Sequence, residues 1–321
     1  MRRAWLHRAL LVLEGGLLAL LLAAPLLAQW LAAPFWLDVA TRIATLALAA
    51  VGLNLLLGLG GLASFGHAAY LAIGAYATAI PTYHFIYGGA AWLASNNGLF
   101  HLLLALTCGG LFALITGWLA LKTRGIHFIM LTMAFAQMLF YLLQGLETYG
   151  GDDGIGLDAR SQLPGLNLDD AAQMHWLAAG LLLAALLLYR LLARSRFGLV
   201  LMGCRERPER MWALGWPVRG VLLAAYVVSG MLGSMAGWLS ANHTAFVSPA
   251  MAEWTHSGEL LFMIILGGAG RWLGPLTGAA GFVLLEEWLS SATIYWQLPF
   301  GLLLMAVALW QAGVPRREER A

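Results

Sequence analysis

Apolar residues fill long, nearly uninterrupted stretches of this chain, and polar residues collect in the short segments between them. A helix needs about 20 apolar residues to cross the roughly 30 Å hydrocarbon core of a bilayer. Runs of that length recur along most of the chain, as in "LLVLEGGLLALLLAAPLLA" near its start. The pattern predicts membrane-spanning helices, because the strands of a membrane barrel would alternate apolar and polar positions.

We predict an all-α, polytopic integral membrane protein in which residues 1–321 form a single transmembrane domain. Ten apolar runs are long enough to be read as spans, and the third, eighth and ninth of them are rich in glycine. The ten predicted spans cover residues 9–31, 38–59, 63–84, 99–121, 126–146, 173–193, 219–241, 257–270, 274–293 and 297–313.

The first apolar run also has features of a secretory signal, since "MRRAWLHR" precedes it and "LLAAPLLAQ" ends it. Glu14 and the length of the run favour an uncleaved first span instead.

Composition agrees with a membrane location: 61% of residues are hydrophobic, only 11% are charged, and the mean hydropathy is +0.77. We therefore predict that the lipid bilayer surrounds the chain and that nucleic acid is not a partner.

Positive charge predicts the orientation of the spans. If the N-terminus is inside, 16 of the 18 Lys and Arg residues fall on the cytoplasmic side, and only Arg42 and Arg160 lie outside. This is the bias expected of membrane proteins, so both termini are predicted to be cytoplasmic. The 16 are Arg2, Arg3, Arg8, Lys122, Arg124, Arg190, Arg194, Arg196, Arg205, Arg207, Arg210, Arg219, Arg271, Arg316, Arg317 and Arg320.

Two polar segments stand out between the spans. Residues 147–172 are predicted to form an acidic periplasmic loop, which we interpret as a solvated connector. Residues 194–215 are predicted to form a cytoplasmic segment with five arginines. Pro208 suits a first helical turn, Glu209 suits the positive end of a helix, and Gly215 suits the left-handed position after its end.

This cytoplasmic segment therefore contains a short, capped helix that carries the apolar residues Met211, Trp212 and Leu214. Arginines near a membrane can bind anionic lipid headgroups. A segment that only binds lipid, however, needs neither a proline at the start of the helix and a glycine after its end nor the acidic residues Glu206 and Glu209. Docking into a groove of a partner protein explains the whole pattern better.

The segment resembles the coupling segment of the LivM-type permeases of branched-chain amino acid ABC importers. "GLNLLLGLGGLASFGHAAYLAIGAYATA", "TRGIHFIMLTMAFAQML", "YGGDDGI" and "GELLFMIILGGAGRWLGPLTGAAGFVLLEE" resemble other segments of that family, in the same order, over residues 52–314. Pro208, Trp212, Arg271 and His127 depart from the family pattern. The matching residues of the coupling segment are Ser195, Phe197, Gly198, Arg205, Glu206, Ala213, Leu214 and Gly215.

The resemblance implies the ABC importer permease fold in the bacterial inner membrane. It implies a LivH-type permease as partner, two cytoplasmic ATPases of the LivG/LivF type and a periplasmic solute-binding protein. The solute would be a branched-chain amino acid or, as the alternative, urea or a short-chain amide. The residues expected to couple the chain to the ATPases are Arg205, Glu206, Pro208, Glu209, Ala213, Leu214 and Gly215.

The chain is predicted to lack an ATP site and to be no enzyme. It has no G-x-x-x-x-G-K-[ST] motif, and its only lysine is Lys122. ATP and Mg²⁺ are expected on the partner ATPases, and neither a cofactor nor a metal is expected on this chain. An ion-coupled secondary transporter, with Glu286 and Glu287 as the ion relay, and a non-transporting scaffold remain rival interpretations.

Candidate pathway residues surround a glycine-rich break between the second and third spans. Asn54, Ser64 and His67 lie there, and broken helices often line transport pathways. Close helix packing is the alternative, with His67 bonded to a carbonyl at the inner surface. The glycines expected to pack closely, here and near the eighth span, are Gly58, Gly61, Gly66, Gly267 and Gly268.

Three glutamates lie in or beside apolar spans, where an ionised carboxylate is costly. Glu259, Glu286 and Glu287 should therefore each face a partner, a cavity or the headgroups, and we expect gating or helix pairing from Glu259 and Glu287.

Cys108 and Cys204 are expected to be small buried or interfacial side chains. Histidines near span ends are interpreted as polar flanks, namely His7, His84, His101, His175, His243 and His256.

Overall fold

The computed structural model describes residues 2–30, 33–292, 295 and 297–313. Twelve α-helices lie in these ranges, and ten of them cover the ten predicted spans. The remaining two, α7 and α8, lie in the coupling segment. The helices are α1 (Arg2–Trp30), α2 (Pro34–Asn54), α3 (His67–Tyr87), α4 (Gly98–Ala120), α5 (Ile126–Gln144), α6 (Ala171–Arg194), α7 (Arg196–Glu206), α8 (Pro208–Ala213), α9 (Val218–Thr244), α10 (Trp254–Gly267), α11 (Gly274–Ala292) and α12 (Gln297–Gly313).

Five helical stretches in the described residues are long and apolar enough to cross a membrane by themselves. Helix α2 with its π-helical continuation is the most enclosed of them, whereas α4, α5 and α6 expose most of their apolar surface. Exposed leucines and aromatics on these helices are expected where lipid or a second membrane protein surrounds the bundle.

Helix α6 defines two ends of the bundle, because its 24 residues separate the polar loop from the coupling segment by about 36 Å. We call the end with residues 145–170 the loop end and the end with residues 195–217 the segment end. Lys122, Arg124, Arg190 and Arg219 lie at the segment end, as do the arginines of α7 and α8. Arg316, Arg317 and Arg320 lie outside the described residues.

Helix α9 lies at the centre of the bundle and packs against α2, α3 and α4. Small residues allow the backbones to approach closely. A Cβ atom at Gly237 would overlap the backbone of Leu71 on α3, and one at Gly74 would overlap the backbone of Ser234 on α9. Close backbone contact strengthens dispersion between helices in a bilayer, where apolar burial alone gives little preference for a protein neighbour over lipid.

The loop at residues 145–170 is anchored to the bundle, contrary to the prediction of a solvated connector. Its strand β1 (Ile155–Gly156) pairs antiparallel with β2 (Phe246–Val247), which follows α9. The amide of Ser161 donates to Asn242 Oδ1 over 2.9 Å. The carboxylates of the loop are all exposed, as predicted; they are Glu147, Asp152, Asp153, Asp158, Asp169 and Asp170.

We expect Gly237→Val to weaken the packing of α3 against α9. The added atoms cannot be accommodated without moving the backbone of Leu71, and overpacking of this kind costs about 1–3 kcal/mol. The thermal unfolding temperature of the detergent-purified protein measures the effect. Gly180→Val is the matched control, because a Cβ atom at Gly180 on α6 meets nothing within 4 Å. Equal unfolding temperatures for the two variants would contradict the packing argument.

Candidate functional site

The predicted glycine-rich break between α2 and α3 is present. After Asn54 the chain forms a π-helix, Leu55–Leu59, and it then loses helical geometry until α3 begins at His67. Gly61 has φ +70°, a conformation that glycine adopts readily and that other residues rarely adopt. The break leaves backbone carbonyls without helical partners, so the chain must supply donors from elsewhere.

Arg205 of α7 supplies one of these donors. Its Nη1 donates to the carbonyl oxygen of Gly58 over 2.5 Å. The aliphatic part of the arginine crosses the face of Gly61, where a Cβ atom would overlap the Arg205 Cγ. The coupling segment is therefore in direct contact with the break, and the contact requires a glycine at Gly61.

Asn54 joins the break to the turn between α10 and α11. Its Oδ1 accepts from the amide of Gly270 over 2.8 Å, and its Nδ2 donates to the carbonyl of Arg271 over 3.0 Å. Tyr189 of α6 donates to the carbonyl of Gly270 over 3.1 Å. We call the group formed by Asn54, Gly58, Gly61, Arg205 and Gly270 the coupling junction.

The turn between α10 and α11 is tight because of its glycines. A Cβ atom at Gly267 would overlap the backbone of Gly274, and Gly268 has φ +90°. Arg271, which departs from the family pattern, donates to the buried carboxylate of Glu14 on α1. A buried carboxylate needs such a partner, so the arginine ties α1 to the turn.

Ser64 and His67 are buried beside the junction. The Ser64 hydroxyl accepts from the amide of Gly66 over 3.2 Å, which stabilises the turn before α3. A Cβ atom at Gly66 would overlap the carbonyl of Thr132 on α5. These contacts tie the start of α3 to α5, and the pathway role of Ser64 stays a prediction.

The predicted surroundings of His67 are wrong. The ring lies in the interior beside the middle of α9, and its Nε2 is 2.7 Å from the hydroxyl oxygen of Ser229 instead of a carbonyl at the inner surface. Ser229 donates its own proton to the carbonyl of Gly52, so His67 Nε2 must be the donor in this pair. His67 Nδ1 is then an acceptor with no hydrogen-bond partner in the described part of the chain.

The coupling segment contains two helices where one was predicted. The expected short helix is α8, which begins with Pro208, has Glu209 in its first turn and is followed by Gly215 at φ +82°. The sequence reasoning missed α7, to which Arg205 and Glu206 belong. Ser195 was the available signal, because its hydroxyl accepts from the amide of Gly198 as an N-cap.

The two helices differ in burial. Helix α7 buries Val200, Leu201 and Cys204, and burial raises the pKa of the Cys204 thiol, which keeps it protonated and unreactive. Helix α8 and the residues after it are exposed, with Trp212 at 71% and Leu214 at 65%. Large apolar side chains exposed between charged residues indicate a surface that binds another protein.

Glu286 and Glu287 have the partner that the sequence reasoning required. Both lie on α11 toward the loop end, and the Arg42 guanidinium of α2 bonds them at 2.7 Å and 3.2 Å respectively. Of these, Glu286 has the closer contact. The pair of glutamates thus links α11 to α2, which is the helix-pairing role expected of Glu287.

Glu259 lies at a cavity of about 260 Å³ between α2, α3, α9 and α10. Its Oε2 is 2.9 Å from His256 Nδ1, and across the cavity Asp38 lies 3.3 Å from His243 Nε2. We call this space, with the Arg42 head at its edge, the polar cavity. The sequence reasoning missed the two histidines; the spacing of His256 and Glu259, one turn apart in an apolar helix, was the available signal.

Two other histidines are not the polar flanks that were predicted. His101 is fully buried and lies 2.8 Å from both the Ser161 hydroxyl and the Ser95 carbonyl. His175 is equally buried, and its ring nitrogens lie 3.0 Å from the Thr41 hydroxyl and 2.8 Å from the Leu21 carbonyl. Both rings connect segments of the bundle.

The structure thus divides the predicted site residues into two groups. Gly58 and Gly61 contact Arg205 at the segment end, where Asn54 binds the turn between α10 and α11, whereas Glu259 and Glu287 lie toward the loop end. Helix α10 runs between the two groups, since Glu259 is near its start and Gly267 is its last residue. A displacement at the junction can therefore reach the polar cavity through one short helix.

We expect Gly61→Leu to disrupt the junction beyond its effect on the local backbone. The new side chain displaces Arg205 and breaks its bond to Gly58, and a hydrogen bond to a charged group contributes about 1.5–3 kcal/mol. Gly125→Leu is the matched control, because Gly125 has φ +60° but open space around it. Thermal unfolding should show the larger loss for Gly61→Leu, and the loss should shrink when Arg205→Ala is already present. Additive effects of Gly61→Leu and Arg205→Ala would contradict the prediction.

Comparison with known proteins supports the resemblance seen in the coupling segment. Residues 35–309 match the family described as the branched-chain amino acid transport system permease component. The high-affinity branched-chain amino acid transport system permease protein LivM of Escherichia coli (strain K12) is 28% identical over 302 residues, which cover 85% of this chain and 68% of that protein. LivM of Salmonella typhimurium (strain LT2) is 27% identical with the same coverage. The chain therefore belongs to the branched-chain amino acid transport permease family and is the multi-pass membrane permease component, not the ATPase subunit, of a bacterial ABC transport system.

Proposed function

We propose that this chain is the LivM-type half of a permease pair that imports branched-chain amino acids. A LivH-type permease is its partner, two LivG/LivF-type ATPases bind at the segment end, and a periplasmic binding protein delivers the solute at the loop end. ATP and Mg²⁺ are bound by the ATPases. Family membership and the two LivM relatives support the solute class.

In this proposal all ten long helices cross the membrane and both termini are cytoplasmic. The distribution of charge among the described residues supports the orientation, because the basic side chains lie mainly at the segment end and the exposed acidic ones at the loop end. Helix α10, with 14 residues, crosses only together with the irregular segments beside it, which is tolerated where the backbone is enclosed by protein.

One contact carries the proposed mechanism: the bond from Arg205 to the carbonyl of Gly58. Helix α8 offers its exposed apolar residues to the ATPase, and Arg205 lies only three residues before Pro208, the first residue of α8. When ATP binding moves the segment, Arg205 pulls on the break between α2 and α3. Asn54 passes the displacement to the turn before α11, and α10 carries it to the polar cavity.

The exposed residues 208–215 make the docking surface, with Trp212 and Leu214 as its apolar anchors and Glu206, Glu209 and Arg210 as its charged rim. Apolar anchors surrounded by charged residues are typical of protein interfaces, where a few residues dominate the binding energy. Ala213 and Gly215 end the helix and set the direction in which the chain returns to α9.

Leu214→Asp and Gly215→Pro are expected to reduce ATP-driven uptake at least tenfold while the protein still inserts into the membrane. The loss of one central anchor costs about 2 kcal/mol, and each 1.4 kcal/mol lowers the population of the docked complex tenfold. Uptake of labelled leucine into proteoliposomes that contain the complete transporter measures the effect, and co-purification of the ATPases measures docking. Leu166→Asp, at an exposed leucine of the loop end, is the control for co-purification of the ATPases. Normal uptake by Leu214→Asp would contradict the docking role. Uptake that survives charge reversal at Arg205 and Arg210 would favour the rival interpretation of the chain as a non-transporting scaffold.

An ion-coupled secondary transporter makes a different prediction. Glu286 and Glu287 would then exchange ions, whereas here both are held by Arg42. Uptake by the complete complex should therefore persist when ionophores remove proton and sodium gradients, and it should vanish when ATP is omitted. Uptake without the ATPases would overturn the proposal.

Competition by urea or acetamide, in place of leucine, would assign the transporter to the alternative solute class.

A further inference from the structure

We propose that the polar cavity is a binding site for the amino acid in transit, and that it recognises a zwitterion with an aliphatic side chain. The inference rests on the proposed function and places the solute inside this chain. The cavity has a volume of about 260 Å³, slightly below the range of pockets that enclose drug-sized ligands, which suits a smaller solute.

Two carboxylates on opposite walls can receive an ammonium group. Asp38 on α2 has 71% of its side chain exposed, and Glu259 on α10 has 34% exposed. Each is within bonding distance of one histidine, His243 and His256 respectively. An ionised carboxylate offers about four acceptor positions, so both retain capacity for a ligand that carries N–H donors.

Arg42 at the edge of the cavity can receive the carboxylate of the solute. Its guanidinium has five N–H donors, and three hydrogen bonds lead from it to Glu286 and Glu287. The side chain is 39% exposed, so donors remain accessible from the cavity. Glu286 and Glu287 also hold the guanidinium plane in place, as supporting side chains do in a prearranged binding site.

Apolar side chains form the remaining wall. Leu46 of α2 and Met251, just before α10, line the cavity as half-buried side chains, and Leu71, Leu260 and Met263 also line it but are almost fully buried. A branched aliphatic side chain gains free energy from contact with such a surface, whereas urea has no group that needs it. The cavity therefore offers carboxylates for the ammonium group of an aliphatic amino acid, a guanidinium for its carboxylate and an apolar wall for its side chain.

The position of the cavity agrees with a role during transport. Glu259 and Leu260 lie on α10, whose last residues pack at the turn that Asn54 binds. Movement of the coupling junction therefore changes the wall that carries Glu259 and Leu260. A site whose wall moves with the coupling segment can bind the solute in one state and release it in the other.

Photolabelling tests the site directly. The complete transporter with its binding protein, in lipid nanodiscs, is incubated with a diazirine analogue of leucine, irradiated and examined by mass spectrometry. We expect labels at the cavity, chiefly at the half-buried Leu46 and Met251, and at least a tenfold reduction by excess unlabelled leucine. Labels elsewhere in the chain but none at the cavity, or labels that leucine does not reduce, would overturn the proposal.

Variants separate ligand recognition from general structure. The double variant Asp38→Asn with Glu259→Gln should reduce cavity labelling at least tenfold, and the conservative Glu259→Asp should retain most of it. Co-purification of the ATPases and the second permease with the variant chain shows that assembly is intact. Asp153→Asn, at an exposed loop aspartate, is the control. Unchanged labelling in the double variant would show that the carboxylates do not bind the ammonium group.

The proposal and the proposed function fail in distinguishable ways. If the wild-type complex imports leucine but the cavity is never labelled, the cavity site is wrong and the function stands. If the wild-type complex imports urea and not leucine, the proposed function fails.

Leu46→Trp gives a further check, because filling the cavity should slow leucine uptake at least tenfold at saturating loaded binding protein. Wild-type uptake by Leu46→Trp would overturn the cavity site.

Discussion

The architecture depends on the pairing of backbone groups where the chain leaves helical geometry inside an apolar bundle. A buried carbonyl without a donor costs several kcal/mol in a bilayer, so the break between α2 and α3 requires polar partners. Arg205 of the coupling segment provides one of them, and Asn54 of α2 pairs the backbone of the turn between α10 and α11, which packs against Gly58 of the break. The element proposed to receive force from the ATPases is therefore also an element that stabilises the break.

Charge inside the bundle follows the same rule. Glu14 is held by Arg271 at the segment end, and Glu286 with Glu287 is held by Arg42 toward the loop end. Each of these ion pairs joins segments that are far apart in the sequence, so one of the joined segments cannot move without displacing the other. Helix α10 connects these two regions, and its own charged pair, His256 with Glu259, lies within the helix. In the proposed mechanism, α10 carries movement from the coupling junction to the polar cavity.

Elements with strong local signals were predictable. The ten long helices follow from apolar runs, and α8 follows from Pro208 and Gly215, because these signals act within a few residues of the backbone they shape. The failures concern long-range contacts. Helix α7 was missed although Ser195 caps it, His67 was assigned a surface carbonyl in place of Ser229, and the loop after α5 was taken as a free connector although it pairs with β2.

By itself, the sequence determined that the chain is a helical membrane protein with a cytoplasmic-type basic segment, that it carries the motifs of its family, and that Glu259, Glu286 and Glu287 require partners. Only the tertiary structure decided which partners they have. Arg205 and Gly58 are 147 residues apart in the chain, and Arg42 and Glu286 are 244 apart. A buried polar group demands a partner wherever it lies, but the packing of the glycine-rich helices decides which distant residue is near enough to be that partner.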